Sequence, residues 1–477
     1  MARTRRPVSP AHRGVSPARR ALRLGLVGGI TLLASLLVLG MCGTGGDGAD
    51  GAHGDHDAGP GKARAANASP SGPPAPRLTV PAAFEPGPRW EVPVAAAAYA
   101  VSPATGRVAY LEPAPGTGSR LRALDAATGR AVWSGPPLPS PGPGGSGVPR
   151  LLSVSQGGRD YLVVWSFGRS ATAAGDTVPG ADALAARGVS AVSLDIHDAV
   201  DGTLRRVEVP WPTAPVVSGT GPGILIADGR TRNAVVDPAT GRVTRVPERA
   251  FGAPRGCTGC RRLTEVRGLT ARGLLLSGES GFWVRGGWES RRAAPAGADP
   301  ASGVPTSVVS GRLVAKWRPA RGRADARTHE IWAVHDTASG RPLAAARCVR
   351  PAIEPGEHPR AALSPDGAFV VAGHLAFDLK RRKGHCLQRL DGGAAPLTLT
   401  TVTGAGTAYG ATSARGAADA LAGGGTPVEL DLTRPAPRPL ALPEPHIRIP
   451  SAEVADVALF VWTDARDRHH LVGHARR

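Results

Sequence analysis

The sequence predicts an all-β fold, and three observations carry that expectation. Short runs of apolar or alternating residues recur along most of the chain, each bounded by Gly, Pro, Asp or Ser. One turn pattern returns between such runs, as Leu124-Asp125-Ala126-Ala127-Thr128-Gly129-Arg130-Ala131-Val132-Trp133 and as Val236-Asp237-Pro238-Ala239-Thr240-Gly241-Arg242-Val243. Beyond residue 88 no stretch keeps a helical apolar period; 181–186 and 413–421 read as short turns at best. Many short strands joined by Gly/Pro-rich turns define an all-β class.

The chain opens differently. Seven arginines (Arg3, Arg5, Arg6, Arg13, Arg19, Arg20, Arg23) and no acidic residue precede residues 24–42, which carry no charge. About 20 apolar residues span a bilayer as a helix, and excess arginine marks the cytoplasmic flank. Residues 1–23 are therefore expected to be a basic cytoplasmic tail and 24–42 a transmembrane signal anchor. The rest would stand outside a single-pass cell-membrane protein. Leu39-Gly40-Met41-Cys42 resembles the bacterial lipobox, with Met41 where that pattern carries Gly, Ala or Ser. Lipidation of Cys42 is thus an alternative attachment, and cleavage near 43–46 a third. Residues 43–88 read as a disordered Gly/Ala/Pro-rich linker with little to bury; a flexible coil of that length spans roughly 35–40 Å.

Of 57 basic residues only Lys62, Lys316, Lys380 and Lys383 are lysine, a bias resembling that of GC-rich, actinobacterial genomes. The net charge of +19 falls to +12 once the seven leading arginines are set aside. A basic outer domain is drawn to acidic wall polymers or anionic lipid by Coulomb steering. Drift toward arginine on a solvated surface is the plainer account of the same charge. No nucleic-acid motif is present, so nucleic acid is not expected as a partner.

From 89 to 477 the strand candidates run in order: 94–101, 107–111, 120–124, 161–166, 189–194, 223–227, 234–236, 273–276, 282–284, 312–317, 330–334, 368–372, 397–402, 427–430 and 456–462. Looser copies of the turn lie at 101–108, 198–203, 334–341 and 363–368. In each, an Asp or Ser side chain accepts from backbone N–H groups ahead while Gly takes a positive φ. Fixed-period repetition points to a β-propeller. Four-stranded blades are expected to start near 95, 150, 214, 264, 305, 360, 396 and 448; eight is favoured, and seven also fits. The last group is a strand short, and 88–93 is expected to supply it.

Residues 124–133 resemble the repeat of quinoprotein-type, PQQ-like propellers, and Leu363-Ser364-Pro365-Asp366-Gly367-Ala368 is similar to the turn of WD-repeat-like and TolB-like propellers. The resemblance implies architecture. Quinoprotein dehydrogenases carry an adjacent Cys–Cys disulfide and a calcium ion held by Glu, Asn and Asp. This chain has no Cys-Cys pair, and its asparagines are Asn67 and Asn233. No cofactor is expected.

Cys257, Cys260, Cys348 and Cys386 remain outside the anchor, an even number that suits two disulfides in an exported chain. The spacing pairs 257 with 260 and leaves 348 to staple 386 across neighbouring blades. A redox Cys-x-x-Cys lacks its βαβ setting, and 37 intervening residues break zinc-finger spacing for the second pair. His469, His470 and His474 read as a solvated edge strand, with a two-histidine metal site as the sharper alternative. The glycine-rich runs at 219–223 and 404–410 open no helix and read as hairpin turns. Without a Gly-x-Ser-x-Gly, His-Glu-x-x-His, Ser-x-x-Lys or phosphate-loop motif, no catalytic or metal residue is assigned. The expected function is a non-enzymatic binding or scaffold module of the cell envelope, with an envelope protein or acidic wall polymer as partner. The alternative is a degenerate quinoprotein-like oxidoreductase or another propeller enzyme with its site on the loops.

Overall fold

The computed structural model describes residues 78–477 except 115–117, 139–147, 170–189, 258, 353–355, 388–395 and 445. The anchor, Cys42, the tail, the linker up to residue 77 and most of the insertion at 169–187 lie outside the described residues. Among those described, no helix is long and apolar enough to cross a membrane.

The fold is all-β and propeller-like, a succession of antiparallel meanders in chain order. The first runs through Tyr99–Ser102, Arg107–Pro113, Ser119–Asp125 and Ala131–Leu138. The second and third cover 150–210 and 216–245, and the fourth 265–284. The fifth and sixth, 304–349 and 362–386, share one eight-stranded sheet through a single parallel pair, Ala345 with Lys383. The seventh covers 397–441. The eighth is Ala452–Val454, Val457–Thr463 and His469–Ala475, completed by Trp90–Val94 from the start of the domain. The expected strand at 94–101 is therefore two. Trp90–Val94 belongs to the last sheet and Tyr99–Ser102 to the first, so the chain must break between them to change sheets.

Eight apolar clusters are found among the described residues, and each lies between two consecutive meanders. The second and third share Val163, Ile196, Ile224 and Val236; the eighth returns to the first through Leu459, Leu471, Val108 and Tyr110. Strand alternation explains how one strand serves two neighbours. Val108 and Tyr110 face the eighth meander, while Ala109 and Leu111 face the second. In the sixth, Phe369 and Val371 face the seventh, and Val370 and Ala372 the fifth. Such strands are apolar throughout because both faces are covered.

The recurring turn supplies a second kind of joint. Asp125 Oδ1 accepts from the Thr128 N–H at 3.0 Å and from its hydroxyl at 2.8 Å, and the Thr128 hydroxyl foremost holds this carboxyl below its ordinary value. The Gly129 N–H then returns to the Asp125 carbonyl at 2.8 Å. Against this turn sits an indole from the preceding meander: Trp90 Nε1 donates to the Ala126 carbonyl at 2.7 Å. The arrangement repeats, with Trp133 donating to Ala199 at 3.3 Å and Trp288 to Thr337 at 2.9 Å. Gly129, Gly202 and Gly340 all have positive φ, and a Cβ there would lie 2.4, 2.7 and 2.5 Å from the indole. Glycine is thus required twice over, for its backbone angle and for the close approach. In the third meander an arginine stem, Arg205, packs on Gly241 instead.

Several expectations are corrected here. The fourth meander has three strands rather than four. After Phe282 and Trp283 the chain turns at Trp288 and enters a short helix, Ser290–Ala293, whose Ser290 hydroxyl accepts from the Phe282 N–H at 3.1 Å. A lone bridge between Trp283 and Glu289 is what occupies the place of a fourth strand. Residues 407–410 of the glycine-rich run belong to the strand Thr407–Thr412, and the turn is confined to 403–406; 417–421 is a short helix. In the copy at 101–108 the cap comes from the next sheet, since Asp160 accepts from the Ser102 hydroxyl at 2.7 Å and the Ala104 N–H at 3.0 Å. Packed structure also begins earlier than residue 89. Phe84 is buried edge-on against Phe460, and the Thr79 carbonyl accepts from the Arg448 N–H.

The turn joint makes a specific demand. Gly129→Ala is expected to cost about 2–4 kcal/mol, combining left-handed strain with overpacking. Gly157→Ala, at positive φ with nothing within 4 Å, should cost about 1 kcal/mol. Urea unfolding of both variants checks the difference, and equal losses would remove the indole contact from the account.

Candidate functional site

Cys257 and Cys260 are joined in the loop between the third and fourth meanders, with Cα atoms 5.3 Å apart. Both are buried against Phe251 and Trp283. Cys348 and Cys386 are joined with Cα atoms 5.5 Å apart, between the outer strands Pro342–Val349 and Lys383–Cys386. This bridge lies across the fifth and sixth meanders, three residues from their parallel pair.

Two histidines and a tryptophan lie near the long-range bridge. His374, in the turn before Leu375–Asp378, sits edge-on to Trp332 at 6.3 Å between centroids, and His358 does so at 5.7 Å. Trp332 Nε1 donates to buried Glu330 at 2.6 Å, and Lys316 Nζ lies 5.9 Å from the Trp332 ring centroid. Burial pushes His374 down to about 4. Burial, with help from Lys316 and Arg267, does the same to His358. The Lys316 ammonium is also lowered by burial, with Glu330 opposing.

A separate cavity of about 610 Å³ lies where the second meander meets the third. Pro210 and Trp211 form one wall; Asn233, Arg232, Arg245 and Arg249 come from the other side. The three arginines are exposed, and none is paired with a carboxylate among the described residues. In the same lining, Trp211 Nε1 and Asn233 Oδ1 are buried with no hydrogen-bond partner among the described residues. Sequence reasoning did not single out these arginines. In a chain with so many, only the fold separates a convergent trio from a scattered one.

The C-terminal histidines are not on a solvated edge. Their strand, His469–Ala475, lies between Trp90–Val94 and Val457–Thr463. His474 is buried, with Nδ1 at 2.8 Å from the Glu85 carbonyl. His470 lies 2.8 Å from Glu91 and 3.3 Å from Asp464. The pairing of Trp90–Val94 on that edge is what covers them.

No protein-family model matches this chain, and no curated protein matches it. Solved structures do. One is a complex of KlAtg21 with the coiled-coil of AgAtg16, at 9% identity over 80% of this chain and 92% of that one, with a TM-score of 0.30. Another is the uncharacterized protein lmo1340 from Listeria monocytogenes EGD-e, at 8% identity over 81% and 91%, with a TM-score of 0.32.

Two predictions follow from this geometry. The 348–386 bridge closes a 38-residue separation, for which chain entropy gives about 4 kcal/mol against about 2 for the short loop. Cys348→Ser should therefore lower the melting temperature more than Cys257→Ser. The second concerns acid. His335, fully buried, is pushed by burial down to about 4, like His358 and His374. These rings are neutral when folded, while the unfolded chain takes up protons below about 6.5. Their contribution is complete above that pH and is lost as pH falls toward 4. Melting temperature should decline across this window with disulfides intact, and His335→Phe should flatten the slope.

Proposed function

We propose that this chain is a membrane-anchored, extracytoplasmic β-propeller of eight blades that binds an anionic polymer of the cell envelope without chemically altering it. The observation that carries the reading is the cavity where the second meander meets the third, lined by three exposed arginines that have no carboxylate partner among the described residues. Convergent guanidinium groups suit phosphodiester or carboxylate oxygens, which they can grip in bidentate fashion. Pro212 beside them is exposed and offers an apolar wall to a polyol or sugar backbone.

Two features of the chain support the remaining parts. The arginine-flanked apolar run at 24–42 favours an anchor with the domain outside, and disulfides suit an oxidising compartment. The order of the meanders and the eight clusters between them favour a closed ring of eight blades, the fourth lacking its outer strand. The PQQ-like turn contributes to that ring as a joint between blades.

The test uses the full chain in detergent with poly(glycerol phosphate) and polygalacturonate as probes. Binding to at least one is expected, weakening as salt rises, and Arg245→Glu combined with Arg249→Glu should reduce affinity at least tenfold. Absence of binding, or binding indifferent to the double substitution, would remove the cavity from the function. A reporter fused after residue 60 should be active only if it works outside the cytoplasm.

A further inference from the structure

One side-chain cluster stands apart from the arginine cavity. Cys348 Sγ, Cys386 Sγ and a ring nitrogen of His374 all lie within 4.8 Å of one another. In the oxidised protein the two sulfurs are bonded to each other. We propose that this bridge is a redox-gated metal site: once reduced, Cys348 and Cys386 together with His374 hold one thiophilic d10 cation, Zn²⁺ or Cu⁺.

The step balances with a dithiol as reductant. Two electrons and two protons pass to the Cys348–Cys386 bond, which breaks into two thiols while the dithiol closes to its own disulfide. Metal binding then releases the two thiol protons to solvent, because thiolate is the ligand form. Two thiolates and an imidazole are a soft donor set of the kind that selects zinc or cuprous copper. Zinc–sulfur bonds of about 2.3 Å and zinc–nitrogen bonds of about 2.0 Å put neighbouring ligand atoms roughly 3.3–3.8 Å apart.

The three donors stay together without the disulfide. Cys348 is in register with Glu330, and Cys386 with Leu375, the residue after His374. The His374 carbonyl accepts from the Leu387 N–H at 2.9 Å, which ties that turn to the residue after Cys386. Across the junction, the Ala345–Lys383 pair and the cluster of Trp332, Val334, Val370 and Phe377 hold the outer strands adjacent. The buried His374 Nε2 has no hydrogen-bond partner among the described residues, so the ring is free to turn toward a metal. Three protein ligands complete a trigonal cuprous site, or leave zinc one open position.

The test uses the full chain with Cys42, Cys257 and Cys260 changed to Ser, so that only this pair remains. Oxidised and reduced forms are titrated without oxygen against a chromophoric chelator, with Zn²⁺ in one arm and Cu⁺ in the other. The reduced form should take up one equivalent in at least one arm and the oxidised form none. Loading should also raise the melting temperature of the reduced form. His374→Gln, which leaves the oxidised protein's melting temperature nearly unchanged, should weaken binding at least tenfold. X-ray absorption of the loaded protein should show two sulfurs and one imidazole nitrogen, a readout that does not depend on the His374→Gln variant folding. No uptake by the reduced form, equal uptake by the oxidised form, or a shell without imidazole would overturn the proposal.

Discussion

The joint between sheets is an indole resting on a glycine. Each meander in this chain can satisfy its own backbone, but its apolar faces are useless until a neighbour covers them. Trp90, Trp133 and Trp288 provide that coupling at three of the boundaries. Each buries a large ring against the next sheet and donates its N–H to a carbonyl that directly follows the Asp of the turn. The carbonyl, the positive-φ glycine and the aspartate cap are all set by one short motif. A substitution in that motif therefore disturbs two sheets at once. His197 and His335 extend the contact, since each stacks on the docked indole and lies within hydrogen-bonding distance of the carbonyl of the same glycine.

Closure follows from the same contact. Trp90–Val94 completes the last sheet while Trp90 itself docks on the first turn. A single short strand thus joins the last meander to the first. The result is a rigid set of sheets whose rims are free to vary. The arginine cavity and the cysteine–histidine cluster both lie where meanders meet, and each reaches into the packing there through Trp211 and Cys348.

Much of this was legible in the residues. Inner strands such as 223–227, 312–317 and 397–402 are apolar or alternating runs with clear bounds and fall where expected. The turn chemistry was legible because it is local in sequence, and the closing strand because the last group is a strand short without it. Outer strands were not. Leu204–Pro210 is interrupted by Arg205, Arg206 and Glu208, and Pro342–Val349 by three alanines and Arg347, so neither carries a strong apolar signal. Long-range substitutions of one cap for another were also invisible: Asp160 caps a turn more than fifty residues away. The candidate sites were the least legible part. Arg232, Arg245 and Arg249 converge only because two meanders meet, and His374 was hidden because its partners are 26 residues upstream and 12 downstream.

Hydrogen–deuterium exchange on Trp90→Ala tests the central claim most directly, because it reports each sheet separately. If one indole couples two sheets, protection should fall both along 457–475 and across the turn at 125–130, although only the former pairs with the mutated strand. Exchange that rises in 90–94 and 469–475 alone, with 125–130 as protected as before, would contradict it.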